Sequence, residues 1–257
     1  MNIQADLTPP LPEGRWALFL DIDGTLLEHA AHPDSVAVST DLRSLLQAVE
    51  HRLDGALAFI TGRSIAAVDR LFEPLKLRIA GLEHRLTPDG QIEAADEPAD
   101  MAALADEIEL ELASKAVYVE RKGPVLAIHT RAAPQLLARA TELVETALAR
   151  LPKGYRVIAG NAGVELMPLE AAKGAAIRRF MQLEPFTGRR PVFLGDDTSD
   201  ENGFETVNAA GGISIRVRPQ GETAARFAIA DVASAIAWLA ANFNDGFEQT
   251  DRSDLVA

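Results

Sequence analysis

FLDIDGTLLE, residues 19 to 28, decides the fold. The apolar run Trp16 to Leu20 predicts a buried strand, and Asp21, Asp23, Gly24 and Thr25 follow it at once. A strand that ends in acids and a glycine turn marks a reaction site at the carboxyl edge of a sheet. Asp21 and Asp23 flank apolar Ile22, so on ideal strand geometry the two carboxylates share a side. Held that close they repel unless a proton or cation intervenes, and magnesium, a hard ion that takes oxygen ligands, suits them. An acidic turn closing a buried strand explains the same letters without chemistry, so the downstream partners carry the weight.

The pattern repeats outward from this stretch. Ala56 to Ile60 predicts a second strand, followed by Thr61, Gly62 and Arg63, and Ser64 starts a helix to about Phe72. Leu77 to Ala80 predicts a third strand ending at Gly81. A helix from Ser39 or Thr40 to about His51 lies between the first two strands, and His29 to Ser39 reads as loop. Strands that alternate with helices predict βαβ units and a parallel sheet.

The character changes after Pro88. A helix to about Ala113, a hairpin from Val117 to His129, a long helix from Ala133 to Leu151 and a hairpin from Tyr155 to Met167 predict a small αββαββ domain. The first pattern then resumes with a helix from Ala171 to Met181 that contains Lys173, and a strand, Pro191 to Leu194, feeding Gly195, Asp196 and Asp197. Thr198 to Val207 predicts a turn and helix, Ile213 to Val217 a strand, and Ala224 to Phe227 and Val232 to Phe243 the last helical pieces. The expected architecture is α/β: a Rossmann-like parallel-sheet core over residues 14–97 and 169–243, an inserted α+β cap over 98–168, and flexible tails at 1–13 and 244–257.

Composition narrows the function. The chain has 257 residues and 47% hydrophobic residues, enough for a large buried core. Its net charge of -13 repels nucleic acid and anionic membrane in general. It has no cysteine, which removes disulfides, thiolate catalysis and cysteine-ligated metals. Residues 1 to 14 show no basic segment followed by an apolar one and the sequence has no apolar run of about 18 residues, so neither a signal peptide nor a membrane span is expected. A soluble, cytoplasmic protein, monomeric, with a small-molecule partner and neither nucleic acid nor membrane, is the expectation.

Asp21 and Asp23, Thr61, Lys173, and Asp196, Asp197 and Asp200 end or border separate elements of one sheet. The acids can hold a hard cation, and threonine and lysine can hold anionic oxygens. That set describes a phosphate and a magnesium ion. Neither GxGxxG after the first strand nor GxxxxGK[ST] occurs, so dinucleotide binding and P-loop hydrolysis lack their usual support.

DIDGT at 21–25, TGR at 61–63, Lys173 and GDDTSDE at 195–201 resemble the four motifs of the haloacid dehalogenase-like (HAD) phosphohydrolases. Within that superfamily, AGLEHR at 80–85, VERKGPVLAIHTR at 119–131 and GVELMP at 163–168 resemble the trehalose-6-phosphate phosphatases, over about residues 14 to 242. The resemblance implies magnesium-dependent hydrolysis of trehalose 6-phosphate through an aspartyl phosphate. By that resemblance Asp21 is the nucleophile and Asp23 the acid and base. Thr61 and Lys173 hold phosphoryl oxygens. Asp21, the carbonyl of Asp23 and Asp196 bind the metal, with Asp197, Asp200 and Arg63 in support. Glu120, Lys122, His129, Arg131 and Glu165 resemble positions that read the sugar, although a solvated sheet face explains them as well. Alternation puts Glu165 on the face opposite Val164 and Leu166. Glu83 and His84 line the cleft or form a structural turn.

Two residues depart from the pattern. Arg85 stands where the family often has glycine after histidine, and Arg218 where a glycine commonly follows the valine. Both flank the expected cleft edge, which leaves substrate reach and loop shape open. A phosphatase for a sucrose, glucosylglycerol or mannosyl phosphate, a mutase, and a catalytically silent phosphosugar-binding protein are the alternatives.

Overall fold

The structure, a computed structural model, describes residue 9 and residues 14–29, 36–81, 83–94, 97–114, 116–160 and 163–243. Most of the expected loop from His29 to Ser39, the turn residues 161 and 162, and the two expected tails apart from residue 9 lie outside these. The chain divides into two compact units, Met1–Ile92 with Lys173–Ala257, and Glu93–Ala172. The sequence predicts the two crossings near Glu97 and near Pro168.

The chain opens with β1 (Trp16–Leu20), α1 (Thr40–Arg52), β2 (Leu57–Thr61), α2 (Ile65–Phe72), β3 (Arg78–Gly81) and β4 (Glu83–Arg85). The second unit holds β5 (Glu93–Ala94), α3 (Met101–Leu112), β6 (Tyr118–Lys122), β7 (Val125–His129), α4 (Leu137–Leu148), β8 (Tyr155–Gly160) and β9 (Gly163–Pro168). The first unit is completed by α5 (Lys173–Phe180), β10 (Arg190–Gly195), α6 (Glu201–Ala209), β11 (Ile213–Val217), β12 (Phe227–Ile229) and α7 (Val232–Phe243).

In the first unit the strands run β12-β11-β10-β1-β2-β3-β4. All neighbours are parallel except β3 and β4. Every residue of β1, β2 and β11 is buried, as expected of central parallel strands covered on both faces. Ser39 and Ser64 accept the amides of Leu42 and Ala67 and cap α1 and α2, where the sequence placed those starts.

Two expectations for this unit change. Ala224 to Phe227 is not helical: Phe227 opens β12, which pairs in parallel with β11. A three-residue strand is too short to show a period in the sequence. Beyond Gly81 the chain also adds β4, which pairs Arg85 with Ile79 and His84 with Ala80.

The second unit is an antiparallel sheet in the order β6-β7-β9-β8, covered on one face by α3 and α4. Met101, Leu104, Ala105, Ile108 and Leu112 form the helical stripe that meets Val119, Leu126, Ile128, Val164 and Leu166. The long helix expected from Ala133 is shorter: Pro134–Leu136 is a 3-10 turn, and α4 ends at Leu148. No helix among the described residues is long and apolar enough to cross a membrane.

Candidate active site

Asp21 directly follows β1, Thr61 closes β2, and Asp196 directly follows β10. β10, β1 and β2 are adjacent and parallel, so their carboxyl ends, and these three residues, lie side by side. Lys173 opens α5, and its ammonium reaches the same edge. Nζ donates to Asp21 Oδ1 at 2.8 Å and to Asp200 Oδ1 at 2.6 Å.

Charge is concentrated here out of water. Asp21 is 5% exposed and Asp200 fully buried. Burial pushes the Asp21 carboxyl well above its ordinary value, against the pull of the Lys173 ammonium. Burial likewise raises Asp200, to about 6. Burial opposes the charge on Lys173, but the carboxylates of Asp200, Asp21 and Asp197 outweigh it and hold its proton firmly. The ammonium is therefore the resident counter-charge of the site.

The turn after β10 is built by its own acids. Asp200 Oδ2 accepts the amides of Asp196 and Asp197, each at 3.0 Å. Asp197 Oδ1 accepts the amide of Ser199 at 2.7 Å and its hydroxyl at 2.6 Å. The two side chains cap the turn reciprocally and aim Asp196.

Oxygens of Asp21, Asp196 and Asp200 all lie within 4.8 Å of one another. Three carboxylates make a hard donor set that suits a divalent cation bound through oxygen. Of the three, Asp200 is the most committed, because its oxygens already serve Lys173 and two amides. The Asp23 side chain is outside the trio and is held by Arg63: Nε to Oδ2 and a terminal nitrogen to Oδ1, both at 2.6 Å.

Two neighbours of the acids are not among the expected site residues. Thr25 donates to Asp21 Oδ2 at 3.3 Å. A hydroxyl four residues after the acid, across a tight turn, is a local signal that was legible. His29 Nε2 lies 2.9 Å from Asp196 Oδ2, and that hydrogen bond holds the imidazole above its ordinary proton affinity. Nothing in the sequence marks His29, because its partner is 167 residues away.

The second unit places Glu120, Ala127, Glu165 and Ile158 in one row across β6, β7, β9 and β8. Alternation puts that row on the face turned away from α3 and α4, whose cluster takes Val119, Leu126, Val164 and Leu166. Glu165 is thus opposite Val164 and Leu166, as the alternation required. Glu120 Oε2 lies 2.9 Å from both Lys122 Nζ and His129 Nε2. The His129 bond first, then Lys122, lowers the Glu120 carboxyl to about 2, against the effect of its partial burial. Tyr118 stacks on His129 at 5.6 Å between centroids. Arg131, beyond the end of β7, is exposed.

Glu83 has a structural partner, since Oε2 accepts the Ile65 amide at 2.7 Å at the start of α2. Arg85 is buried, with a forked pair to Asp69 at 2.6 and 2.7 Å and bonds to the Leu77 carbonyl. It braces α2 against β3 and β4. Arg218 has φ of +49°, the left-handed region that glycine enters at least cost. Its amide bonds the Ile229 carbonyl at 2.8 Å and its guanidinium bonds Glu28 at 2.5 Å.

A sequence profile described as trehalose-phosphatase matches residues 19–233. A probable trehalose-phosphate phosphatase of Sinorhizobium fredii is 44% identical over 207 residues, covering 79% of this chain and 78% of that one. The trehalose-6-phosphate phosphatase of Escherichia coli is 36% identical over 248 residues, covering 91% and 90%. In three dimensions the chain is similar to the C-terminal domain of Candida albicans trehalose-6-phosphate phosphatase, with a TM-score of 0.74 and 19% identity over 88% of this chain and 91% of that one. At that identity the likeness speaks for the fold alone.

Proposed function

The chain belongs to the trehalose-phosphatase family, phosphoric monoester hydrolases, and on that premise we propose that it hydrolyses trehalose 6-phosphate to trehalose and phosphate. The observation that carries the reading is the meeting of Asp21, Lys173 and Asp200 at the carboxyl edge of the sheet, beside Thr61 and Asp196.

In the proposed chemistry these residues divide the work. Asp21 attacks phosphorus and forms an aspartyl phosphate, which splits one hard displacement into two easier ones. Lys173 and the Thr61 hydroxyl stabilise the negative charge on the phosphoryl oxygens. Asp23 gives a proton to the departing sugar oxygen and later takes one from water. Asp21, Asp196 and the carbonyl of Asp23 would hold a magnesium ion, with Asp200 orienting the turn. The bound ion would neutralise carboxylate charge and polarise the phosphoryl oxygens. Asp197 acts through the turn that it caps. In the second unit Glu120, Lys122, His129, Arg131 and Glu165 are proposed to bind sugar hydroxyls, for which charged ends offer several donors and acceptors.

The test is phosphate release from trehalose 6-phosphate beside glucose 6-phosphate, sucrose 6-phosphate and glucosylglycerol phosphate, with and without magnesium after chelation. Preference for the trehalose ester, lost on chelation and restored by magnesium, is expected. Preference for another ester would overturn the substrate, and full activity of metal-free protein would overturn the cation.

A further inference from the structure

Asp23 and Arg63 meet fork to fork, with two bonds of 2.6 Å between one guanidinium and both oxygens of one carboxylate. The Arg63 side chain is 12% exposed and that of Asp23 is 33% exposed. The guanidinium is thus largely withdrawn from water while solvent still reaches the carboxylate. The loop that carries Arg63 is itself fixed, because its amide donates to Thr61 Oγ1 at 3.2 Å at the end of β2. The fork is therefore referenced to the strand edge where the phosphoryl group is proposed to sit.

Such a fork fixes the plane of the carboxylate and leaves acceptor sites open. An ionised carboxylate offers about four lone-pair sites, and the guanidinium occupies two, one on each oxygen. The remaining sites can take a hydrogen from water. The fork therefore sets where Asp23 can accept that hydrogen.

The geometry points to Arg63 as the positioning residue for Asp23 in the second half of the reaction, the release of phosphate from Asp21. This rests on the proposed reading of Asp23 as acid and base. In the first half the bond from Asp21 to phosphorus forms, the bond from phosphorus to the sugar oxygen breaks, and the proton of Asp23 passes to that oxygen. In the second, Asp23 takes a proton from water, the water oxygen bonds phosphorus, and the bond from phosphorus to Asp21 breaks. Asp21 leaves as a carboxylate and Asp23 is protonated again. Only the second half uses the acceptor form that the fork holds.

An ester whose leaving group needs no proton separates the halves. With p-nitrophenyl phosphate, the first turnover reports attack by Asp21 and the steady state includes breakdown of the aspartyl phosphate. Rapid mixing of the full-length protein with saturating p-nitrophenyl phosphate gives both rates. In Arg63→Ala the steady-state rate should fall about tenfold or more while the first-turnover rate stays within about threefold, so their ratio rises. Arg63→Lys, which keeps the charge but not the fork, should raise the ratio too, and added guanidinium should return the Arg63→Ala ratio towards that of the wild type. An unchanged ratio in both variants, whether the two rates fall together or neither falls, would overturn the role. Asp23→Asn run beside them separates this from its premise, since full steady-state turnover in that variant would sink the acid and base reading of Asp23 itself.

Discussion

The backbone of Gly24 passes so close to the Asp196 carboxylate that a Cβ on it would lie 2.0 Å from Oδ2 and 2.6 Å from His29 Nε2. Gly24 also has φ of +80°, which a side chain resists. The turn after β1 and the turn after β10 therefore interlock through the absence of a side chain. Gly24→Ala should cost about 1–2 kcal/mol of stability from the left-handed backbone. By displacing Asp196 it should lower kcat by about a hundredfold, since misplacement by about 1 Å has that effect. Urea unfolding, turnover and calorimetric titration with magnesium would check the three parts, and turnover equal to wild type would refute the steric reading.

Lys173 is the counter-charge for two buried carboxylates, and removing it strands both. Lys173→Met should destabilise the protein by about 3–5 kcal/mol, the usual cost of breaking a buried pair. Adding Asp200→Asn should recover part of that loss, because the uncompensated charge is then halved. Denaturant melts of the two single variants and the double variant give the coupling directly, and strict additivity would contradict it.

Arg85 is a structural brace. Arg85→Ala removes the fork to Asp69 and the bonds to the Leu77 carbonyl. A loss of about 2–4 kcal/mol in stability is expected, with KM for the sugar phosphate unchanged. A large rise in KM with stability intact would place Arg85 in substrate binding instead.

Glu120 gives a pH signature to the sheet of the second unit. Its carboxyl is depressed in the folded chain from 4.5 to about 2. A depressed acid adds stability that is fully present above the unfolded value and lost as pH falls through the folded one. The contribution should therefore fade between pH 4.5 and about 2. Because the side chain is partly exposed, the effect should be under about 1 kcal/mol. Unfolding curves across that window should show a shallower decline in Glu120→Gln than in wild type, and identical slopes would count against the pair with His129.

Much of the core was legible because its signals are local. Ser39 and Ser64 announce α1 and α2 by hydroxyl caps a few residues from the amides that they accept. β12 and β4 were missed because three residues carry no period, and their pairing with β11 and β3 is what makes them strands. The cap on α2 from Glu83 escaped notice for a related reason, since its partner amide at Ile65 is 18 residues away.

Local pattern alone places Asp21, Thr61 and Asp196 at strand ends. A buried parallel strand must be apolar along its length, so the first polar residue after the run marks its exit from the core. It also determined the alternation that puts Glu120 and Glu165 on the face opposite Val119, Val164 and Leu166. Which charges pair depends on the packed fold. Lys173 reaches Asp21 across 152 residues, His29 meets Asp196 across 167, and Arg63 grips Asp23 across 40. Burial patterns act over a turn of helix or a pair of strand residues, whereas these contacts depend on strand order and on where each loop leaves the sheet edge. That distance is set by the packed sheet, and no local window contains it.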